Sequence, residues 1–252
     1  MSETLMARTD VCVVIPVYNN PLTVADVVGR ALALHPCVMV VDDGSTDSTP
    51  AALRSLSGII LITHRRNLGK GAAIMSALGE ARRRGFKAIV TLDADGQHRP
   101  EDLPALLDEH DRHPHAIIIG SRRLKGQPMS SGSRVANAIS NFWFAIHTWH
   151  RLPDTQTGFR LYPLSSLHGL RFVSPRYEAE LELLVMAAWH GEELCPVGIN
   201  VYYPPRGERV SHFRPVADFM RISLLNTLLC GLALIYGYPR MLANKIYGIW
   251  KG

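Results

Sequence analysis

Two aspartates one residue apart close an apolar run in Leu92-Asp93-Ala94-Asp95-Gly96-Gln97-His98. At the end of a strand, residues i and i+2 face the same way, so the Asp93 and Asp95 carboxylates can share one hard divalent cation. Mg2+ or Mn2+ prefers such oxygen ligands and commonly holds substrate phosphates as well. Gln97 and His98 follow closely enough to complete or support that shell. The same residues also suit an Asp-rich turn whose carboxylates accept backbone N–H groups. A second acidic stretch, Asp42-Asp43-Gly44-Ser45-Thr46-Asp47, offers a carboxylate to a base N–H or a ribose hydroxyl, and equally suits a Gly turn with a helix cap. Tyr18, just behind Ile15-Pro16-Val17, presents a flat face on which a base can rest. Arg65-Arg66-Asn67-Leu68-Gly69-Lys70-Gly71 sets cations and pliant backbone immediately before a helix, a reasonable diphosphate rim.

The elements that must position these groups are legible as apolar runs at Val11–Val17, 38–41, Ile59–Thr63, 88–92 and 116–120. Helical patterns fill the intervals at 22–34, 49–56, 70–84 and 101–110. Such alternation indicates βαβ units and a mostly parallel sheet, whose ligands bind at the carboxyl ends of the strands. Neither GxGxxG nor GxxxxGK[ST] occurs; the first strand runs into PVYNNP. From about Arg134 the texture changes to an aromatic-rich helix (NFWFAIHTWH) and a loop (DTQTGFRLYP). An acidic-aliphatic helix over 177–189, a short strand over 197–203 and a basic loop (PPRGERVSHFRP) follow. Residues 222–238 are 17 without a charge, at the bottom of the spanning range, between Arg221 and Arg240. With Tyr247, Trp250, Lys245 and Lys251 beyond them, this tail is expected to contact a membrane surface.

With 252 residues, 47% hydrophobic and 19% charged, the chain excludes disordered and fibrous classes and suits one α/β domain. A formal charge of +5 suits nucleotides, phospholipid or anionic substrates but is too weak to indicate nucleic acid. Cys12, Cys37, Cys195 and Cys230 show no metal spacing and read as free thiols of a reducing compartment. The opening MSETLMARTD has no apolar core or cleavage site, so a cytoplasmic location is expected. His110, His113 and His115 read as a solvated helix end, and Arg82-Arg83-Arg84 as cations at a helix C-terminus. Phe142, Trp143, Phe144 and Trp149 are expected to pack a core or rest on lipid.

The ordered set VVIPVYN, VVDDGSTDST, RRNLGKG, LDADGQHRPED, GSR and DTQTGFRLY, over about residues 11–215, resembles the inverting family 2 glycosyltransferases of the A-type fold. It is most similar to their dolichyl- and polyprenyl-phosphate mannosyltransferase branch. The resemblance implies a single Rossmann-like α/β domain over 8–215 with a mostly parallel central sheet, followed by a helical tail over 216–252. It also implies a nucleotide-sugar donor held by Pro16, Tyr18, Asn20, Val41, Asp43 and Lys70 together with the triplet Asp93, Ala94 and Asp95. Asp95 and Gln97 would ligate Mg2+ or Mn2+. Asp93, Asp95, Arg122 and Asp154 would form the catalytic group. Arg122, Thr157, Arg206, Arg209, Ser211 and His212 would face the acceptor or its phosphate, with Gly158 and Phe159 shaping that side. Two departures stand out: Asn19-Asn20 replaces Asn-Glu, and Ser211-His212 replaces Ser-Lys in the basic loop. A neutral His weakens phosphate attraction near pH 7.

A metal-dependent transfer of one hexose from a GDP- or UDP-sugar to a polyprenyl phosphate, at the cytoplasmic face of a membrane, is the expectation. A phosphate acceptor is largely ionised at neutral pH and needs no strong base. The alternative, a hydroxyl of a lipid or cell-envelope precursor, needs a base, for which Asp154, Glu178, Glu180 and Glu182 are candidates. Glu178 and Glu182 share a helix face and also suit a solvated stripe, while Glu180 points elsewhere. A non-catalytic membrane tether is a third reading, against which the intact Asp93, Asp95 and Gln97 speak. Gln156-Thr157-Gly158-Phe159-Arg160 does not match the Gln-x-x-Arg-Trp of processive synthases, so single addition is expected.

Overall fold

The computed structural model describes residues 8–122, 131–170, 174–203 and 215–250. Each β-branched run forms a strand: β1 (Val11–Val17), β2 (Val38–Asp42), β3 (Ile59–Thr63), β4 (Ala88–Thr91) and β5 (Ile117–Arg122). Between them lie α1 (Val24–Leu34), α2 (Thr49–Arg54), α3 (Lys70–Arg83) and α4 (Leu103–Arg112). Then come α5 (Ser131–Thr148), β6 (Arg160–Pro163), α6 (Ala179–His190), β7 (Leu194–Ile199), α7 (Pro215–Leu232) and α8 (Tyr238–Trp250).

The seven strands form one mixed sheet in the order β3-β2-β1-β4-β6-β5-β7. Strand alternation sends Cys12, Val14, Met39, Val41 and Ile89 to a core under α3 and α6. Val11, Val13, Ile15, Val38 and Val40 go to a second core under α1 and α4. Because β1, β2 and β4 run parallel, their carboxyl ends come together at one rim. That rim carries all three polar motifs.

Two elements differ from the sequence expectation. Part of the expected loop after Asp154 is a strand: β6 lies antiparallel between β4 and β5, with Thr91 opposite Arg160. The last strand starts three residues earlier than its apolar run, because Leu194–Ile199 pairs in parallel with β5 from Ile117 to Arg122. Pro196 is tolerated there because β7 is an edge strand.

The tail is helical and docked. Leu225, Asn226, Leu229 and Ala233 are buried, and Asn226 Oδ1 lies 3.1 Å from His147 Nε2 on α5. A π-helical turn, Ala233–Gly237, lets the chain pass Trp189, which leaves no room for a side chain at Gly237. By length and composition Met220–Ile246 can cross a membrane, with mean hydropathy 1.5 over its most apolar stretch and 28% of that stretch buried in the protein.

Candidate active site

The carboxyl rim is knitted by its own loops. Asn19, in left-handed backbone at φ 46°, accepts the Thr46 N–H through Oδ1 at 2.8 Å, tying the loop after β1 to the loop after β2. Asn20 Nδ2 donates to the Ala94 carbonyl at 2.9 Å, and the Thr23 hydroxyl donates to the same oxygen. Asn20 Oδ1 in turn accepts from the Thr23 hydroxyl in its other rotor position at 2.9 Å. Asn20 thereby fixes the backbone between the two aspartates. Pro16 and Tyr18 remain half-buried at the end of β1, next to the buried Val41 of β2.

Asp43 organises rather than dangles. Its Oδ1 accepts the Leu68 N–H at 2.9 Å and its Oδ2 the Gly69 N–H at 2.7 Å. Oδ1 also meets His64 Nδ1 at 2.7 Å, and His64 Nε2 reaches the Ser76 hydroxyl at 2.9 Å. This chain fixes the loop that carries Lys70. Gly69 sits at φ 102°, and a Cβ on it would fall 2.4 Å from the Pro175 carbonyl oxygen. Gly71 leaves no more room, its Cβ position being 2.6 Å from Ala179 Cβ. These two glycines let the start of α3 touch the start of α6, and that contact brings Lys70 to Glu180.

Lys70 is the hub. Its ammonium lies 2.5 Å from Asp93 Oδ1 and 3.0 Å from Glu180 Oε2. Burial opposes its charge, but the two carboxylates hold its pKa well above the lysine range. Burial alone would raise the Asp93 carboxyl; Lys70, then His98, reverse that and hold it below the usual value. Asp95 differs: burial and the neighbouring Asp93 charge push it up to about 6. Its Oδ1 accepts the Gln97 N–H at 2.9 Å, and among the described residues no basic side chain forms an ion pair with it. Buried His98 stands beside Asp93, Nδ1 to Oδ2 3.6 Å, with Nε2 3.4 Å from the Thr157 hydroxyl. Burial pushes the His98 pKa down, against the pull of the Asp93 charge beside it.

The antiparallel β6 delivers the opposite wall. The Thr91 hydroxyl donates to the Gly158 carbonyl at 2.8 Å, pressing Gly158 against Asp93 and Lys70. On the neighbouring β5, Arg122 grips fully buried Asp154 in a two-point pair, Nη2 to Oδ1 2.7 Å and Nε to Oδ2. The Arg122 and Gln156 backbone N–H groups complete the Asp154 shell at 3.2 and 3.1 Å. Both Asp154 oxygens are thus occupied, and its geometry is that of a group orienting Arg122, not of a free base. Burial opposes the Arg122 charge, but Asp154 raises its pKa, and the Tyr203 hydroxyl lies against it as well. Arg206, Arg209, Ser211 and His212 fall outside the described residues.

The glutamate expectation needs correction. Glu178, Glu180 and Glu182 are all buried, not a solvated stripe, because α6 is covered nearly all round. Glu180, set aside in the sequence, is the one that reaches the site. Glu182 Oε2 instead accepts the Ser174 N–H at 2.9 Å. The only forewarning lay in the mixture of glutamates with an apolar run in AELELLVMAAW: Ala179, Leu181, Leu183 and Leu184 leave no polar face.

The fold is shared with solved structures. Glucosyl-3-phosphoglycerate synthase from Mycobacterium tuberculosis, crystallised with Mn2+, UDP and phosphoglyceric acid, superposes with a TM-score of 0.67 at 21% identity, covering 89% of this chain and 79% of that one. A crystal of the same synthase with Mg2+ and UDP gives 0.66. Rim, acidic loop and sheet order together define a glycosyltransferase of the A-type architecture. Residues 12–169 match the model of glycosyl transferase family 2, and the chain belongs to that family.

Among curated relatives, the UDP-N-acetylglucosamine–dolichyl-phosphate N-acetylglucosaminyltransferase of Methanococcus voltae is 28% identical over 79% of this chain and 88% of its own length. The undecaprenyl-phosphate mannosyltransferase of Micrococcus luteus is 29% identical over 79% and 86%. The polyprenol monophosphomannose synthase of Mycolicibacterium smegmatis is 34% identical over 60% of each chain.

Proposed function

We propose that this glycosyltransferase moves one hexose from a GDP- or UDP-sugar to a polyprenyl phosphate, with inversion, using a divalent cation. The observation that carries the reading is the pairing of two unlike charge centres on one rim: the Asp93–Asp95–Gln97 loop backed by buried Lys70, and Arg122 held by Asp154. The names of the relatives support the lipid-phosphate acceptor.

Asp93, Asp95 and Gln97 offer only oxygen donors, and Asp95 has no cationic partner among the described residues, so this set fits a hard divalent cation. Asp95 and Gln97 would hold it. When bound, Mg2+ or Mn2+ neutralises the charge that builds on the departing diphosphate. The protein does the rest. Lys70 fixes the Asp93 carboxylate in one orientation, and Gly158 closes over it. Pro16, Tyr18 and Val41 form the nucleoside side of the rim, with Asp43 holding the adjoining loop.

Arg122 has five N–H donors, of which Asp154 engages two from the side chain, leaving others for an acceptor phosphate. An oxygen of that phosphate attacks the anomeric carbon from the face opposite the leaving group. The bond from carbon to the diphosphate oxygen breaks, and the nucleoside diphosphate leaves with its electron pair. The second pKa of a phosphate monoester is about 6, so the nucleophile arrives ionised and no base is required. The engagement of both Asp154 oxygens favours this acceptor over a hydroxyl.

The catalytic unit is 8–215, and in the tail, 216–252, the described helix α7 forms a lipid-facing surface with α5. On α5, Val135, Ile139, Phe142 and Ile146 recur at helical spacing and are 42–59% exposed. On α7, Leu224, Leu228 and Leu232 do the same. Two adjacent apolar stripes near Arg221, Arg240 and Lys245 suit a helix pair lying in the headgroup region of the cytoplasmic face. Incubation with GDP- and UDP-sugars, Mn2+ and undecaprenyl phosphate tests the assignment. An acid-labile lipid-linked sugar is the expected product. Transfer only to a membrane extract lacking polyprenyl phosphate overturns it.

A further inference from the structure

The opposite end of the sheet holds a cluster that the transfer reaction does not use. Glu109 in the last turn of α4, His113 at its C-cap and Cys195 on β7 each present a ligand atom, all within 4.8 Å of one another. Glu109 and His113 are four residues apart on one helix, the spacing that lets two side chains grip one ion. Cys195 arrives from far along the chain because β7 pairs with β5, placing Cys195 beside Ile118. A fourth group completes the picture. Glu193 Oε1 lies 3.0 Å from His113 Nδ1 and 3.4 Å from Cys195 Sγ. His113 Nε2 faces Glu109 Oε1 at 3.7 Å, while Arg112 holds the other Glu109 oxygen.

We propose that Glu109, His113 and Cys195 form a second metal site, for Zn2+ or a metal of similar softness, structurally separate from the rim. A thiolate and an imidazole select borderline transition metals, whereas the all-oxygen Asp93, Asp95 and Gln97 set selects Mg2+ or Mn2+. The ion takes Nε2 of His113, leaving Nδ1–H to donate to Glu193, the carboxylate–histidine–metal arrangement that fixes ring and tautomer. The Cys195 S–H proton is released to solvent as the Sγ–metal bond forms, so no electrons change hands. Water fills the remaining position, since the cluster is only partly buried. The ion ties the end of α4 to the edge strand β7, whose hydrogen-bonded neighbour is β5 alone.

Co2+ titration of the full chain with saturating Mg2+ present tests this directly. Magnesium fills the oxygen site, and a sulfur-to-cobalt charge-transfer band reports the thiolate alone. The expected result is one equivalent of Co2+ with that band, displaced by Zn2+. The band disappears in Cys195→Ser and the affinity falls about 10–100-fold in Glu193→Gln. Zn2+ raises the Tm of the wild-type chain and not of Cys195→Ser. Sugar transfer is unchanged in Cys195→Ser, which also shows that the variant is folded. Absence of the band, its persistence in Cys195→Ser, or loading only at millimolar metal overturns the proposal.

Discussion

Replacing Gly158 with alanine tests whether the Asp93–Lys70 pair is held in its working position by contact with the loop before β6. Gly158 is outside the left-handed region, so alanine meets no backbone penalty there. The added methyl would stand 2.4 Å from Asp93 Oδ2 and 2.6 Å from Lys70 Nζ. Ordinary contact begins at 3.4 Å, so the carboxylate must move by 3.4 − 2.4, about 1 Å. The Gly158 carbonyl is pinned by Thr91, so the side chains yield rather than the strand. Displacing a catalytic group by about 1 Å costs roughly 10²-fold in rate. Overpacking of this kind costs about 1–3 kcal/mol, and flexible chain ends put it at the low end. Nucleotide release from the donor sugar should therefore fall about 10²-fold while Tm drops by only about 2–4 °C. Wild-type activity in a variant shown by its crystal structure to carry the methyl would refute this reasoning.

Further outcomes follow from the same geometry. Lys70→Met leaves Asp93 and Glu180 buried without their shared cation, which should cost about 3–5 kcal/mol in chemical denaturation, and adding Glu180→Gln should restore part of it. Asp95 is raised from 3.8 to about 6, so the metal-free protein loses stability as pH rises through that window and levels off above it. Mn2+ substitutes for the proton and should raise Tm at pH 7.5 far more than at pH 4.5; equal shifts at both would contradict the assignment of Asp95 as a ligand. Gly79→Ala, on the exposed face of α3 with nothing within 4 Å, should stabilise the protein by about 0.8 kcal/mol and leave transfer unaltered. Leu228→Glu in the exposed stripe of α7 should lower sedimentation with anionic vesicles without changing nucleotide release in detergent.

Continuous apolar runs made β1 to β5 readable; β1, β2, β4 and β5 are buried on both faces, so nothing polar confuses their pattern, and β3 at the edge is legible from its β-branched residues alone. β6 escaped because it is only four residues long and opens on Arg160. That residue is fully buried, giving its N–H groups to the Glu180 and Thr155 carbonyls, a compensation invisible in one dimension. The acidic loop and the lysine of the RRNLGKG motif were legible from residue type. Their partnership with Glu180 was not, since it depends on Gly69 and Gly71 letting two helix starts meet. In Asn20, Asp43 and Asp154 the residue type shows the chemistry of a ligand and hides the protein partners each already has. Asn20 gives its amide N–H to the Ala94 carbonyl, Asp43 accepts two backbone N–H groups, and Asp154 accepts the Arg122 guanidinium. Cys195 and His113 carry no shared motif, and only the β5–β7 register unites them.

The central claim is that an ionised phosphate, steered by Arg122, is the nucleophile. Donor-dependent nucleotide release should be compared with undecaprenyl phosphate and with undecaprenol, the same chain ending in a hydroxyl, in wild type and in Arg122→Gln. The account predicts stimulation by the phosphate alone, with a KM for it that rises sharply in the variant. Equal stimulation by the alcohol, or an Arg122→Gln enzyme with unchanged phosphate dependence, would contradict it.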